Sequence, residues 1–218
     1  MKSILIIGMG RFGQHLCRNL AKMNNQIMIV DEDESKLDEM LPYVISAKIG
    51  DCTKEKVLKT LGVGNFDIVF VCIGTNFQSS LEITSLLSEL GAKHIVCKAS
   101  RDIHAKFLLK NGADEVIYPD RDIALKAAVR HSSNSIFDFN ELTGEYSIYE
   151  IAPPKHWVGK SLKELDLRNH HNIHIIGYKS STKTKLMPRG DYTIKEDEHL
   201  LVIIEDEQID KVLKEIGE

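Results

Sequence analysis

The amino-acid sequence predicts an α/β protein, a doubly wound parallel sheet followed by a small α+β domain. Three observations predict it. Across the first 120 residues, short apolar runs alternate with helical patterns six times, which calls for a parallel sheet covered by helices on both faces. Gly62, Gly64, Gly91 and Gly112 stand where those helices should end, as left-handed C-caps do. From Tyr146 onward the texture changes to short strands broken by Pro153-Pro154, with an amphipathic helix at the end.

The elements follow in order. Strands are expected at residues 4–7, 27–30, 44–49, 68–71, 94–97 and 115–117, and helices at 12–22, 33–41, 54–61, 77–90 and 102–110. The turns Leu90-Gly91-Ala92 and Asn111-Gly112-Ala113 repeat one helix-to-strand connection, which pins the register of this half. After Pro119 another helix is expected from Arg121 to about His131, ended by Ser132-Ser133-Asn134-Ser135. Residues 136–139 then bring two aromatics that the first domain does not need. They cross over either to a partner subunit or onto the second domain, and the sequence leaves both open. Beyond them, strands are expected at 146–152, 173–178 and 200–204, a short helix at 161–165, a turn at 191–193 and a closing helix at 207–216. The resulting division is a first domain at 1–133, a linker at 134–145 and a second domain at 146–218.

With 43% hydrophobic and 28% charged residues the composition is that of an ordinary globular protein, and a net charge of −4 gives no bulk attraction to nucleic acid or anionic lipid. The lysine-bearing stretch 179–185 reads as a solvated hairpin loop rather than a phosphate-binding patch. No apolar run approaches the roughly 18 residues of a membrane span, and the N-terminus enters a strand directly, without a secretory signal. Cys17, Cys52, Cys72 and Cys97 lack any Cys-x-x-Cys spacing and read as buried free thiols in a reducing cytoplasm.

The chemistry is concentrated near the start. Gly8-Met9-Gly10-Arg11-Phe12-Gly13 lies between the first strand and the first helix, and Asp31 ends the second strand. That is the dinucleotide-fold fingerprint in its required context, so the doubly wound parallel sheet is Rossmann-like. Gly8 permits the tight turn, Gly10 lets the backbone approach a phosphate, and Gly13 lets the helix pack on the strand. The helix N-terminus offers N–H donors to an anion. Asp31, with Glu32 beside it, is placed to accept from ribose hydroxyls, and its charge disfavours a 2′-phosphate and hence NADP. Gly50-Asp51-Cys52-Thr53 follows the third strand; Asp51 and the Cys52 backbone face the adenine edge, and Thr53 serves there or as a helix cap. Cys72-Ile73-Gly74-Thr75-Asn76 follows the fourth strand and covers the phosphates or a second sugar, with Asn76 also suited to capping. Lys98, after the fifth, carries phosphate charge or is a plain surface lysine. Arg11 departs from hydride-transferring enzymes, where this position is small or apolar. A guanidinium here is a permanent, bidentate phosphate clamp. It fits ATP or ADP at least as well as NAD or NADH.

No catalytic constellation accompanies this site: the chain has no Gly-x-Ser-x-Gly, no Lys-Ser/Thr ending a phosphate loop and no His-Glu-x-x-His. His170-His171-Asn172-Ile173-His174 reads as a turn into a strand rather than a metal cluster. The reading is a binding protein rather than an enzyme. Two alternatives stand beside it. An NAD-dependent oxidoreductase needs an acid–base residue and a substrate pocket that the second domain does not offer. An NADH-sensing transcriptional regulator needs a basic helix-turn-helix segment that is not evident.

Together the turn from Gly8 to Gly13, Asp31, Gly50-Asp51-Cys52-Thr53, Cys72-Ile73-Gly74-Thr75-Asn76 and Lys98 resemble the regulator-of-potassium-conductance (RCK) family. Within it the chain is most similar to the cytoplasmic TrkA and KtrA subunits of bacterial potassium transporters. Residues 146–150 and 165–202 resemble that family's C-terminal domain, so the likeness spans essentially the whole chain. It implies TrkA-N and TrkA-C domains and a homodimer that assembles into an octameric ring beneath a membrane-embedded potassium transporter subunit. ATP or ADP would favour different ring shapes and so gate the pore. The implied location is cytoplasmic, held at the inner face of the cell membrane through the pore partner, with no membrane insertion and no nucleic-acid partner. By position, Arg11 contacts phosphates of its own or a neighbouring subunit's nucleotide, and Asp31 holds the ribose. Asp120 matches an acidic position, Glu in KtrA-like members, that joins a divalent cation site near the phosphates; it also suits an N-cap for the following helix. Some members bind cyclic di-AMP between paired C-terminal domains. Arg168 matches the basic residue of that site, with Ile175 and Pro188 near its apolar wall.

Overall fold

The structure, a computed structural model, describes residues 1–74, 76–181 and 183–216. Thr75, in the expected phosphate-covering stretch, and Thr182, in the lysine-bearing loop, lie outside the described residues. The chain divides into two compact units, Met1–Asp120 and Arg121–Glu218.

In the first unit β1 (Ser3–Ile7), β2 (Gln26–Asp31), β3 (Ser46–Ile49), β4 (Ile68–Val71), β5 (Ile95–Lys98) and β6 (Glu115–Ile117) form a parallel sheet in the order β3-β2-β1-β4-β5-β6. They are connected by α1 (Arg11–Lys22), α2 (Glu34–Asp38), α3 (Glu55–Leu61), α4 (Phe77–Glu89) and α5 (Asp102–Lys110). Strand residues alternate between two faces, and here both faces are covered. Leu5, Ile7, Val69 and Val71 pack with Leu58, Ile83, Leu87 and Leu108 of the helices. Ile4, Ile6, Ile27 and Ile29 pack with Cys17, Leu37 and Met40 on the other side. Each fully buried aliphatic side chain of this kind stabilises by roughly 1.5–3 kcal/mol, and an unpaired charge in place of Ile6 would cost more than that contribution. The strand order reverses between β1 and β4, which opens a crevice at the carboxyl edge of the sheet.

Helix α2 stops at Asp38, short of the expected Leu41, because Leu41-Pro42-Tyr43 tightens into a 3-10 turn with proline near its start. Helix α6 (Pro119–His131) starts at Pro119, where a missing N–H leaves nothing unsatisfied. Asp120 is therefore inside the helix rather than capping it.

In the second unit β7 (Ile136–Glu141), β8 (Tyr146–Ile151), β9 (His174–Lys179), β10 (Thr184–Leu186) and β11 (His199–Glu205) form an antiparallel sheet in the order β10-β9-β11-β8-β7. Of the two destinations open to residues 136–139, the structure shows the second: they pair with β8 and place Ile136 and Phe139 beside Tyr149, Ile151 and Trp157 in the core. The stretch 134–145, expected as a linker, thus contains a strand. Helix α7 (Leu162–Leu165) is launched by a capping box between Ser161 and Glu164. Helix α8 (Leu167–His171) is bounded by Asp166 (φ 42°) and Asn172 (φ 54°), residue types that tolerate the left-handed conformation. Helix α9 (Ile209–Ile216) seats Val212 in the same core. Among the described residues no helix is long and apolar enough to cross a membrane.

Candidate nucleotide-binding site

Three glycines, two in the turn from β1 to α1 and one in the first turn of α1, serve three different needs. Gly8 has φ 92°, and a Cβ on it would stand 2.9 Å from Ile73 Cγ1. A Cβ on Gly13 would stand 2.2 Å from the Gly8 carbonyl oxygen, so only glycine lets α1 close on the turn. Gly10 is unlike both. Its φ is −67°, and a Cβ there would meet no atom within 4 Å. Neither backbone geometry nor packing requires glycine at this position; the vacated space opens into a pocket. Helix α1 begins immediately after it, without a side-chain cap and without an acid in its first turn. Its N–H donors and the positive end of its dipole are left for an anion.

The pocket measures about 490 Å³ and follows the carboxyl ends of the strands at the reversal of strand order. Of the residues expected from sequence, Gly8, Gly10, Arg11, Phe12, Asp31, Glu32, Asp51, Cys52, Thr53, Cys72, Ile73, Gly74, Asn76 and Lys98 line it. Met9 and Gly13 do not: Met9 is fully buried in the core under the turn, and Gly13 is enclosed between turn and helix. Lys36, Ser79 and Ile83 line the pocket without having been expected.

Asp31 is heavily engaged. Its Oδ2 accepts from Met9 N at 2.7 Å, and its Oδ1 accepts from Asp33 N at 3.0 Å and Lys36 Nζ at 3.3 Å. Met9 thus acts through its backbone, tying the glycine turn to the end of β2. Lys36 Nζ also lies 3.5 Å from Asp33 Oδ2. Partial burial opposes the ammonium charge, but the hydrogen bond to Asp31 and the charges of Asp31 and Asp33 outweigh it and hold the Lys36 pKa above its ordinary value.

On the β3 side, Asp51 Oδ1 accepts from Thr53 Oγ1 at 2.6 Å and from Thr53 N at 2.9 Å. The hydroxyl contributes most to holding the Asp51 carboxyl below the usual carboxylate range. Thr53 therefore orients Asp51 and does not cap α3, whose N-cap is Lys54. Burial pushes the Cys52 and Cys72 thiols up to about 12, so both line the pocket as neutral groups. Asn76 does cap α4, accepting from Ser79 N at 3.0 Å, while still facing the pocket. Lys98 Nζ sits 5.6 Å from the Phe12 ring centroid, and Gly74 makes room for its stem: a Cβ at 74 would fall 3.3 Å from Lys98 Cε and Nζ.

The lining carries both signs: Arg11, Lys98 and the α1 terminus attract anions, Asp31, Glu32 and Asp51 present acceptors to hydroxyl and amine donors, and Lys36 sets a cation against Asp31. A ligand that joins phosphate to a hydroxyl-bearing sugar matches that mixture.

Asp120 is exposed and outside this lining. Among the described residues no group of three or more His, Cys, Asp or Glu is arranged to hold a metal ion. His170 and His171 end α8, whereas His174 opens β9 beyond the turn at Asn172. In the second unit, Arg168 and Ile175 line one hollow of about 170 Å³ with Leu162, Leu167 and Ile173; Pro188 is not part of that lining.

Comparison with known proteins adds independent findings. The TrkA-N domain family matches residues 4–119 and the TrkA-C domain family residues 146–217. The Ktr system potassium uptake protein C of Bacillus subtilis (strain 168) is 39% identical over 202 residues, covering 93% of this chain and 91% of that protein. The GsuK channel bound to NAD shares the fold with a TM-score of 0.69 at 18% identity, across all of this chain and 40% of that one. The Shewanella denitrificans Kef CTD in its AMP-bound form matches 61% of this chain and 83% of its own at 25% identity, with a TM-score of 0.51. With both halves matched in order and the Ktr relative aligned along nearly its full length, the chain belongs to the RCK family of TrkA-N/TrkA-C proteins that includes the Ktr potassium uptake proteins.

Proposed function

We propose that this protein is the nucleotide-sensing regulatory subunit of a potassium uptake system and not an enzyme. The observation that carries the reading is the unfilled space at Gly10, in front of an uncapped helix terminus and beside Arg11 and Lys98. A phosphate group fits that space and that charge. When bound, the nucleotide supplies anionic oxygens and a ribose diol; the chain supplies the groups that hold them. Arg11 clamps phosphate oxygens, Lys98 adds charge, Asp31 accepts from the ribose, and Asp51 with the Cys52 backbone faces the base. ATP and ADP suit the paired cations best. NAD and NADH share the adenosine half, as do the NAD of GsuK and the AMP of the Kef domain.

In this reading two chains pair and the pairs close an octameric ring beneath a membrane-embedded potassium transporter subunit, at the inner face of the cell membrane. Gating is a coupling free energy: ATP and ADP bind two ring shapes with different affinity, each tenfold difference corresponding to about 1.4 kcal/mol. The reading extends to Asp120 as a contributor to a divalent cation site near the phosphates. It also extends to Arg168, Ile175 and Pro188 as part of a cyclic di-AMP site in the paired second domains.

Calorimetry with ATP, ADP, NADH and cyclic di-AMP on the purified protein, with mass from light scattering, tests the reading. Adenine-nucleotide binding by an oligomer supports it, and a monomer that binds no adenine nucleotide overturns it. Equal pore activity with ATP and ADP would remove the gating role.

A further inference from the structure

Lys36 reaches the pocket from α2, and its ammonium sits on the carboxylate that the nucleotide's ribose needs. A carboxylate offers about four acceptor positions, two on each oxygen. On Asp31 both positions of Oδ1 are taken, by Asp33 N at 3.0 Å and Lys36 Nζ at 3.3 Å. One position of Oδ2 is taken by Met9 N at 2.7 Å. A ribose 2′,3′-diol brings two O–H donors; for both to bond Asp31, which has one open position, one resident donor must leave.

The backbone donors are fixed by the fold. Met9 N belongs to the glycine turn, and Asp33 N belongs to the residue that caps α2. Lys36 is free to move: its side chain is 42% exposed, on a flexible four-carbon stem. It also has a second seat. Asp33 Oδ2 lies 3.5 Å from Lys36 Nζ, and the capping bonds to Ser35 N and Ser35 Oγ use the other oxygen, Oδ1.

The geometry points to Lys36 as the specificity-determining residue for the ribose: it holds Asp31 while the ribose is absent, shifts to Asp33 when a 2′,3′-diol arrives, and so sets how strongly the site favours nucleotides with an intact diol. This rests on the nucleotide reading above and adds to it the residue that tunes sugar recognition. The ligand class is the 5′-nucleotides with both ribose hydroxyls free.

The test is calorimetry of ADP and 2′,3′-dideoxy-ADP on the full-length wild type, Lys36→Met and Asp33→Asn. The readout is the ratio of the two affinities, because a general change in charge alters both ligands alike. Lys36→Met removes the competitor and raises the preference for ADP about two- to tenfold, the range of one net hydrogen bond. Asp33→Asn keeps a capping oxygen but loses the charge of the second seat, so it lowers the preference by a similar factor. Opposite signs in two variants cannot come from loss of folding. A ratio that stays constant or moves the other way in either variant overturns the inference while leaving the nucleotide site intact. A wild type that binds neither ligand overturns the nucleotide reading and the inference together.

Discussion

Replacing Gly10 by alanine separates what the fold needs from what the ligand needs. The backbone at 10 has φ −67°, a value alanine adopts freely, and the added Cβ meets no atom within 4 Å. The apo protein should therefore be unharmed, and the loss of unfolded-state freedom should stabilise it by about 0.4–1 kcal/mol. Each kcal/mol raises Tm by about 2–8 °C for a unit of this size. Ligand binding should go the other way. In the nucleotide reading proposed above, the methyl group stands where a phosphate oxygen approaches the first N–H groups of α1. Losing one charge-assisted hydrogen bond costs about 1.5–3 kcal/mol, or roughly 10- to 150-fold in ADP affinity. Gly13→Ala is the contrast: its Cβ would lie 2.2 Å from the Gly8 carbonyl, so it should destabilise the apo protein by about 1–3 kcal/mol or more. Thermal melts without ligand and calorimetry with ADP read the two effects separately. If Gly10→Ala melts as early as Gly13→Ala, or binds ADP as tightly as the wild type, the space at Gly10 is not reserved for a ligand.

Other changes should act on single terms. Arg11→Gln should leave apo stability within about 0.5 kcal/mol, since the side chain is exposed, while ADP affinity falls about tenfold or more and depends less on salt in calorimetry at two ionic strengths. Burial holds the Cys52 and Cys72 thiols at about 12 and Cys97 at about 11, so at pH 8 almost none is thiolate and they should react with a thiol reagent far more slowly than a free peptide thiol; labelling at the rate of a free peptide would contradict this. The Asp51 carboxyl is depressed below 3.8, so its contribution to stability is complete above that value and is lost as pH falls through the lower folded value. Thr53→Val removes the larger cause and should move the Asp51 titration, followed by NMR, back up toward 3.8; an unmoved midpoint would assign the depression to another group. Ser161→Ala breaks the capping box and should cost about 1 kcal/mol in denaturant unfolding.

Much of the first sheet was legible because its strands are short apolar runs bounded by glycine turns. Ile68–Val71 and Glu115–Ile117 begin and end where the pattern does, as does the helix Asp102–Lys110. The pocket lining was legible for the same reason: a parallel sheet delivers the residues that follow its strands to one edge, so reading the strand ends reads much of the site. Lys36 was not legible, because it lies on a helix face that looks like ordinary solvated surface. Only the fold of α2 across the end of β2 brings its ammonium to Asp31. Helix α8 was hidden by its caps, since Asp166 and Asn172 take left-handed conformations that sequence patterns assign first to glycine. Strand β10 was hidden because all of its residues are exposed, leaving no apolar alternation to detect.

The position of β7 has a practical consequence for anyone wishing to study the second half alone. The TrkA-C match begins at residue 146, yet the sheet it covers draws a strand from 136–141. A fragment cut at 146 would lack Ile136 and Phe139 from its core and would bare the flank of β8 as an open edge, ready to pair with another copy. In such a fragment, pairing through the bared edge of β8 would add to any association of the domain's own. The natural starting point lies ahead of Ile136, in the turn after α6.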